Sequence, residues 1–320
     1  MIVSLTGLNA ESIMKNLEQW SLTDESGASA DRVSLTVLGE DFRLPPANGG
    51  DKYKLTIGTE QRGEFEVSTV KLKLDPRKWI IQLSPAKFQR KDPTGWREKR
   101  KRSFPPATVK DLVTAIMEPH GYSVRVDQDL ANLATPHFNQ SEETDKAFLS
   151  RVAKDYDAVA KPINNLFIFG KKGSVKALSG SPRGRIIIKP IDIVKSTGEI
   201  NFPSAEVYKG VKVKWRETES GLNGQAVLGS EPFKLLETTY KNLEEANKKA
   251  EAEMKRVTRN SQTFTASLHW KAGLFAESVF NFAEEFNEQT LVSDWSFDRV
   301  SMSGTRTKIS VSVEASRLTN

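Results

Sequence analysis

Few residues of this chain have the type and spacing to do chemistry. There are three histidines, His120, His137 and His269, and none forms an HExxH or comparable ligand pattern. His120 falls at a helix stop, where a cation suits the helix dipole, His137 follows a proline in a loop, and His269 adjoins Trp270 in a strand pattern. Cysteine is absent, which removes disulfides, thiolate metal sites and thiol nucleophiles together. No GxSxG elbow occurs, and Gly180-Ser181-Pro182-Arg183-Gly184 fits neither a P-loop nor a dinucleotide fingerprint. The carboxylate pairs Glu142-Glu143, Glu244-Glu245 and Glu284-Glu285 are neighbours in sequence, whereas a glycosidase needs two carboxyls facing across a cleft. No metal, cofactor or small-molecule substrate is therefore expected, and the chain does not read as an enzyme.

One dense charge cluster remains, Arg97 to Arg102 (REKRKR). On a chain of net charge +6, it reads either as a solvated turn or as a surface for an acidic partner. Arg97, Lys99, Arg100, Lys101 and Arg102 are the interaction candidates. Basic residues beside aromatics (Lys78-Trp79, Lys87-Phe88, Trp96-Arg97) keep a nucleic-acid-binding reading open, although aromatics on strands more often anchor cores.

The elements that would position these residues are mainly β. Val33, Leu35 and Val37 alternate with polar residues, as do Tyr53, Leu55 and Ile57. In EFEVSTVKLKL the apolar phase changes between Phe65/Val67 and Val70/Leu72/Leu74, which predicts a bulge near Ser68-Thr69 in a curved antiparallel barrel. Residues 105–173 switch to a helical period. Thr108 caps a helix whose apolar stripe is Val109, Leu112, Val113 and Ile116, stopped by Pro119 and Gly121. A second helix, with Glu142-Glu143 in its first turn, buries Phe148, Leu149, Val152, Ala153 and Tyr156, and a hairpin follows around Asn164-Asn165. The Gly/Ser-rich stretch 174–184 reads as a linker. Strand patterns then return, with Val211, Val213 and Trp215 on one face and Ile309, Val311 and Val313 on another. One helix, 242–258, is capped by Asn242 and lined by Leu243, Ala246, Ala250, Met254 and Val257. No obvious sequence repeat links the two β regions. The predicted domains are 1–104, 105–173 and 185–320.

Three blocks carry a resemblance. Asp24, Gly27, Asp31 and Val33 form the first; Arg100 to Phe104 with Thr108 to Gly121 form the second; Asn139-Gln140-Ser141, Asp145, Phe148-Leu149 and Ala153 form the third and most specific. Together with the helix 243–257 and the closing WSFDRVSMSGTRTKISVSVE, they resemble the late control protein D family, baseplate hubs of contractile phage tails. Ser301 stands where that family usually has histidine. The resemblance implies two tail-tube-like antiparallel β-barrel domains flanking a small helix-hairpin domain, similar to the N-terminal hub region of type VI secretion spike proteins. It implies a homotrimer forming a pseudo-sixfold ring between the sixfold tail tube protein and the threefold central spike protein. Other baseplate or tape-measure proteins would be further partners, with DNA passing through the lumen. It implies a place in a virion or tail-like particle assembled in the bacterial cytoplasm, with the puncturing tip on a separate polypeptide. The alternatives from other classes are a tail-associated peptidoglycan hydrolase and a basic nucleic-acid-binding protein.

Overall fold

The structure is a computed structural model that describes residues 2–27, 31–85, 94–95, 97–163, 165–173, 184–202, 208–217, 220–259 and 262–318. Lys87-Phe88, Trp96, Asn164 and the expected linker from 174 to 183 lie outside the described residues. In chain order, the first region contains β1 (Val3–Gly7), α1 (Ala10–Lys15), β2 (Leu17–Glu25), β3 (Arg32–Leu38), β4 (Lys52–Ile57), β5 (Glu60–Leu74) and β6 (Arg77–Ser84). The middle contains β7 (Arg100–Phe104), α2 (Val109–Met117), β8 (Ser123–Val126), α3 (Gln128–Ala131), β9 (Phe138–Glu143), α4 (Asp145–Asp155), β10 (Ala158–Ile163) and β11 (Leu166–Lys171). The last region contains β12 (Ile186–Ile188), β13 (Glu199–Asn201), β14 (Gly210–Arg216), β15 (Asn223–Gly229), β16 (Phe233–Tyr240), α5 (Leu243–Arg259), β17 (Thr263–Leu268), β18 (Val279–Phe282), β19 (Trp295–Gly304) and β20 (Ile309–Arg317).

The mainly β expectation holds. No closed barrel forms among the described residues, however. The first and last regions instead share one twelve-stranded sheet in the order β1-β4-β5-β6-β3-β2-β19-β20-β17-β13, with β18 and β12 attached beside β19. Their apolar faces make one core, in which Trp20, Leu35, Tyr53 and Phe65 from the first region meet Phe264, Phe280, Trp295 and Phe297 from the last. The bulge expected from the phase change is present: the β5–β6 register shifts between Val67 and Thr69.

This sheet contains a duplication that the sequence conceals. Read across it, β5-β6-β3-β2 is followed by β19-β20-β17-β13, with every pairing antiparallel. The second quartet repeats the first with its chain order kept: β2, β3, β5 and β6 correspond to β13, β17, β19 and β20. The bulge repeats too, since the β19–β20 register shifts between Phe297 and Arg299. The strand before each long strand is also shared in kind, because β4 pairs the start of β5 and β18 pairs the start of β19.

Two smaller units interrupt the repeat. Residues 100–171 carry their own core of Val109, Leu112, Ile116, Phe148, Leu149, Val152, Phe167 and Phe169, built from α2, α4 and the three-stranded sheet β10-β11-β8. Thr108 caps α2 as expected, its hydroxyl accepting from the Asp111 N–H at 3.1 Å, and Gly121 ends the segment in the left-handed region. The expected start of α4 needs correction. Glu142-Glu143 end strand β9 rather than open the helix, because β9 pairs with the basic strand β7, setting Glu143 opposite Arg100. Thr144 then caps α4, accepting from Ala147 N at 3.2 Å. The second unit lies between β13 and β17, whereas β2 and β3 are separated by only the six residues 26–31: α5 packs on the sheet β15-β14-β16 around Val211, Val213, Ala226, Ala246 and Ala250. Asn242 caps α5 as expected. Leu243 is exposed rather than part of the inner stripe, because it opens the first turn before the helix meets the sheet.

Candidate functional site

The basic run splits by strand geometry. Arg97, Lys99 and Lys101 are exposed, while Arg100 and Arg102 turn inward on β7. Arg100 donates to Thr94 O at 2.6 Å and lies 3.7 Å from the Asp145 carboxylate. Arg102 donates to Gln140 Oε1 at 2.9 Å and pairs closely with Asp145. Asp145 opens α4, where backbone N–H groups favour an anion. His120 donates or accepts on both sides, 2.7 Å from Asp145 and 2.8 Å from the Thr94 hydroxyl, and Gln140 Nε2 donates to Asp145 at 2.8 Å. Burial alone would raise the Asp145 pKa. The bonds from His120 and Gln140, with the Arg102 and Arg100 charges, outweigh it and hold the carboxyl below its usual range.

The order Thr94–His120–Asp145 is that of a hydroxyl–imidazole–carboxylate relay. Its surroundings argue for a structural role. The imidazole is buried, and its carboxylate is shared with two guanidiniums and an amide, so nothing leaves it available to a substrate. Sequence reasoning placed His120 at a helix end and missed this cluster, although Arg102, Gln140 and Asp145 all stand in the quoted blocks. His137 is exposed and bonds Ser103 at 2.7 Å, and His269 is exposed. Among the described residues no group of three or more His, Cys, Asp or Glu could hold a metal ion.

A second charged cluster joins the helix-hairpin unit to the large sheet. Lys161, buried on β10, donates to Asp24 Oδ1 at 3.0 Å, to Asp31 Oδ1 at 3.2 Å and to the Glu25 carbonyl at 2.9 Å. Asp24 also accepts from Ala276 N at 3.0 Å. Beside it, buried Glu277 accepts from Gly173 N at 3.1 Å, and Lys172 pairs closely with Asp298. Burial would raise Asp24, but the Lys161 charge and hydrogen bond hold it below the ordinary carboxylate value. Asp31 has less compensation: burial and the neighbouring Asp24 push it up to about 7. Glu277 is also raised, first by burial. Asp24 and Asp31 are thus two of the residues in the first block, and their partner Lys161 lies 130 or more residues away, invisible to motif reading.

The sign of the Asp31 effect can be tested. A carboxyl raised in the folded state binds its proton more tightly there than in the unfolded chain, so folding weakens as pH rises from about 4 through 7. Thermal melts of Asp31→Asn should show a flatter decline across this window than the parent chain. Parallel pH profiles would remove Asp31 from this role.

A third seam uses buried Arg62 of β5. It donates to Leu274 O at 2.7 Å, pairs with Glu60 at 2.9 Å and lies 3.9 Å over the Phe275 ring. Glu60 in turn accepts from Gly273 N at 2.6 Å. All three clusters stitch elements of the chain together.

The fold is similar to that of solved phage-tail proteins. The tail protein from Neisseria meningitidis MC58 superposes with a TM-score of 0.69, over 99% of this chain and 96% of that one at 11% identity. An E. coli type VI secretion system component, the c3393 protein, described as structurally similar to phage T4 tail proteins gp27 and gp5, gives a TM-score of 0.58 over 95% of this chain and 74% of that one at 10% identity. In sequence, the chain resembles the probable baseplate hub protein of Escherichia phage 186, 25% identical over 224 residues. That match takes in 66% of this chain and 55% of the relative, so the chain spans about half the length of the curated hub protein. No protein-family model matches the chain.

Proposed function

We propose that this chain is a structural baseplate hub of a contractile phage tail or tail-like particle, acting without catalysis. Three copies form a ring that joins the sixfold tail tube to the threefold spike. The observation that carries this reading is the strand repeat. Two quartets of the same order and direction lie side by side in one sheet, so a single chain already contains one step of a rotation. Three copies supply six such quartets, which match a sixfold tube, while the helix-hairpin unit and the α5 unit occur once per chain and keep a threefold character for the spike. Each quartet with its flanking strands is a tube-like domain, one within 1–104 and one within 185–320, with 105–173 as the insert between them. Twenty-four strands spaced ~4.8 Å and tilted by about 40° would enclose a ring about 50 Å across its backbone, wide enough for an axial passage.

The partners follow from this reading: the tube protein above, the spike protein below, other baseplate or tape-measure proteins around them, and DNA in the passage. Arg97, Lys99 and Lys101 are the exposed cations of the basic run and the part of it that can meet an acidic partner. The site of action is the baseplate of a particle assembled in the bacterial cytoplasm. Averaged electron-microscope images of the purified protein should show a ring of six lobes around a hole. A solid particle without a passage, or clearing of peptidoglycan on a zymogram, would overturn the proposal.

A further inference from the structure

The duplication makes an unfilled place in the sheet visible. Inside the chain, the outer edge of β19 is filled along Arg299–Gly304 by β2, with Leu22 opposite Met302 and Ser21 opposite Ser303. The β5 strand is the counterpart of β19. Its first half is paired by β4 up to Glu66, and no strand among the described residues pairs its outer edge from Thr69 to Leu74. At the other end of the sheet β13, the counterpart of β2, pairs β17 on one side, and no other strand among the described residues pairs it.

We infer that β13 of a second copy of this chain fills the Thr69–Leu74 edge of β5. This rests on the ring reading and adds which strands close it. The two bulges fix the register. Counting from them, Val67 corresponds to Phe297 and Leu72 to Met302. Leu83 and Ala315, their partners, lie opposite Val33 and Phe264, which in turn lie opposite Leu22 and Ile200. Ile200 of one copy therefore falls opposite Leu72 of the next, Glu199 opposite Lys73, Asn201 opposite Lys71 and Phe202 opposite Val70.

The side chains fit this pairing. Leu22 and Met302, at the internal junction, are 2% and 1% exposed, whereas Leu72, Leu74 and Phe202 are 38%, 82% and 47% exposed. Val70 and Ile200 are half-buried against the main core, so their parity continues the apolar face across the proposed junction. On the opposite face, a neutral Ser21–Ser303 pair is replaced by Glu199 and Lys73, opposite charges that attract across strands. Lys71 and Lys73 would also repel a second β5, guarding an edge that otherwise invites misassembly. Each copy has one donor edge and one acceptor edge, the heterologous arrangement that closes into a ring.

The chain has no cysteine, so introduced thiols report on this contact alone. Lys73→Cys and Glu199→Cys proteins, mixed and treated with a short bis-maleimide, should give a covalent dimer. The double variant should run to covalent trimers and stop there. Lys101→Cys in place of Lys73→Cys should give no linked product. Lys73→Glu and Glu199→Lys should each raise the concentration for half-assembly several-fold, about what a cross-strand charge pair carries, and combining them should restore it. An assembled protein of unchanged mass that does not cross-link overturns the edge assignment and leaves the ring standing. A protein that stays monomeric overturns both.

Discussion

Replacing Lys161 with methionine is expected to destabilise the chain by about 3–5 kcal/mol, the scale for removing one partner of a buried ion pair. The lysine is the only cation bonded to both Asp24 and Asp31 in the described structure, and it also satisfies the Glu25 carbonyl. Methionine fills similar volume, so the loss is electrostatic rather than a cavity. Two carboxylates would remain buried beside each other and beside Glu277. They can escape only by taking up protons. The Lys161→Met deficit should therefore shrink as pH falls from 8 to 5, because without the lysine the Asp24 carboxyl no longer stays below its usual range. Denaturant titrations at both pH values would measure this. A loss under about 1 kcal/mol at pH 8, or one independent of pH, would mean the cluster does not hold the helix-hairpin unit to the sheet.

Asp145→Ala should have a comparable effect by a different route. It removes the acceptor for His120, Gln140 and Arg102 at once, leaving the buried imidazole its bond to the Thr94 hydroxyl and the amide its bond to the Glu143 carbonyl. About 3–5 kcal/mol is again the expected scale, and concentrated in a small unit this lowers its melting point by roughly 12–40 °C. The damage should be local. Hydrogen exchange should quicken across α2, α4 and β10–β11 while the twelve-stranded sheet keeps its protection. Uniform loss of protection would show instead that the unit has no independent core. Asp145→Asn, which keeps one acceptor oxygen, should fall between the two.

The sequence shows its local structure well and its long-range structure poorly, for physical reasons. The caps Thr108 and Asn242, the α2 stripe and the bulge after Val67 all follow from residues close in the chain, and all are present. Period and capping cannot report which strand lies beside which. The pairing of β2 with β19 joins residues near 20 to residues near 300, and it places both β regions in one sheet, with no closed barrel among the described residues. The duplication is hidden because equivalent positions demand only burial and strand direction: Leu22 can become Ile200, and Met302 can stand where Leu72 does. The clusters were half legible. Asp24, Asp31, His120, Gln140 and Asp145 stand in the blocks that carry the resemblance, yet nothing local pairs them with one another, and Lys161 lies outside every block. In sequence the basic run reads as one solvated turn or one partner surface, and strand alternation divides it into an inward pair and an outward set.

Native mass measurement of the purified protein tests the central claim most directly. Three chains of 35.7 kDa should appear as one species of about 107 kDa. A single-chain mass that persists when the protein is concentrated and mixed with its spike protein, or a ladder of ever-longer oligomers, would contradict a closed threefold ring.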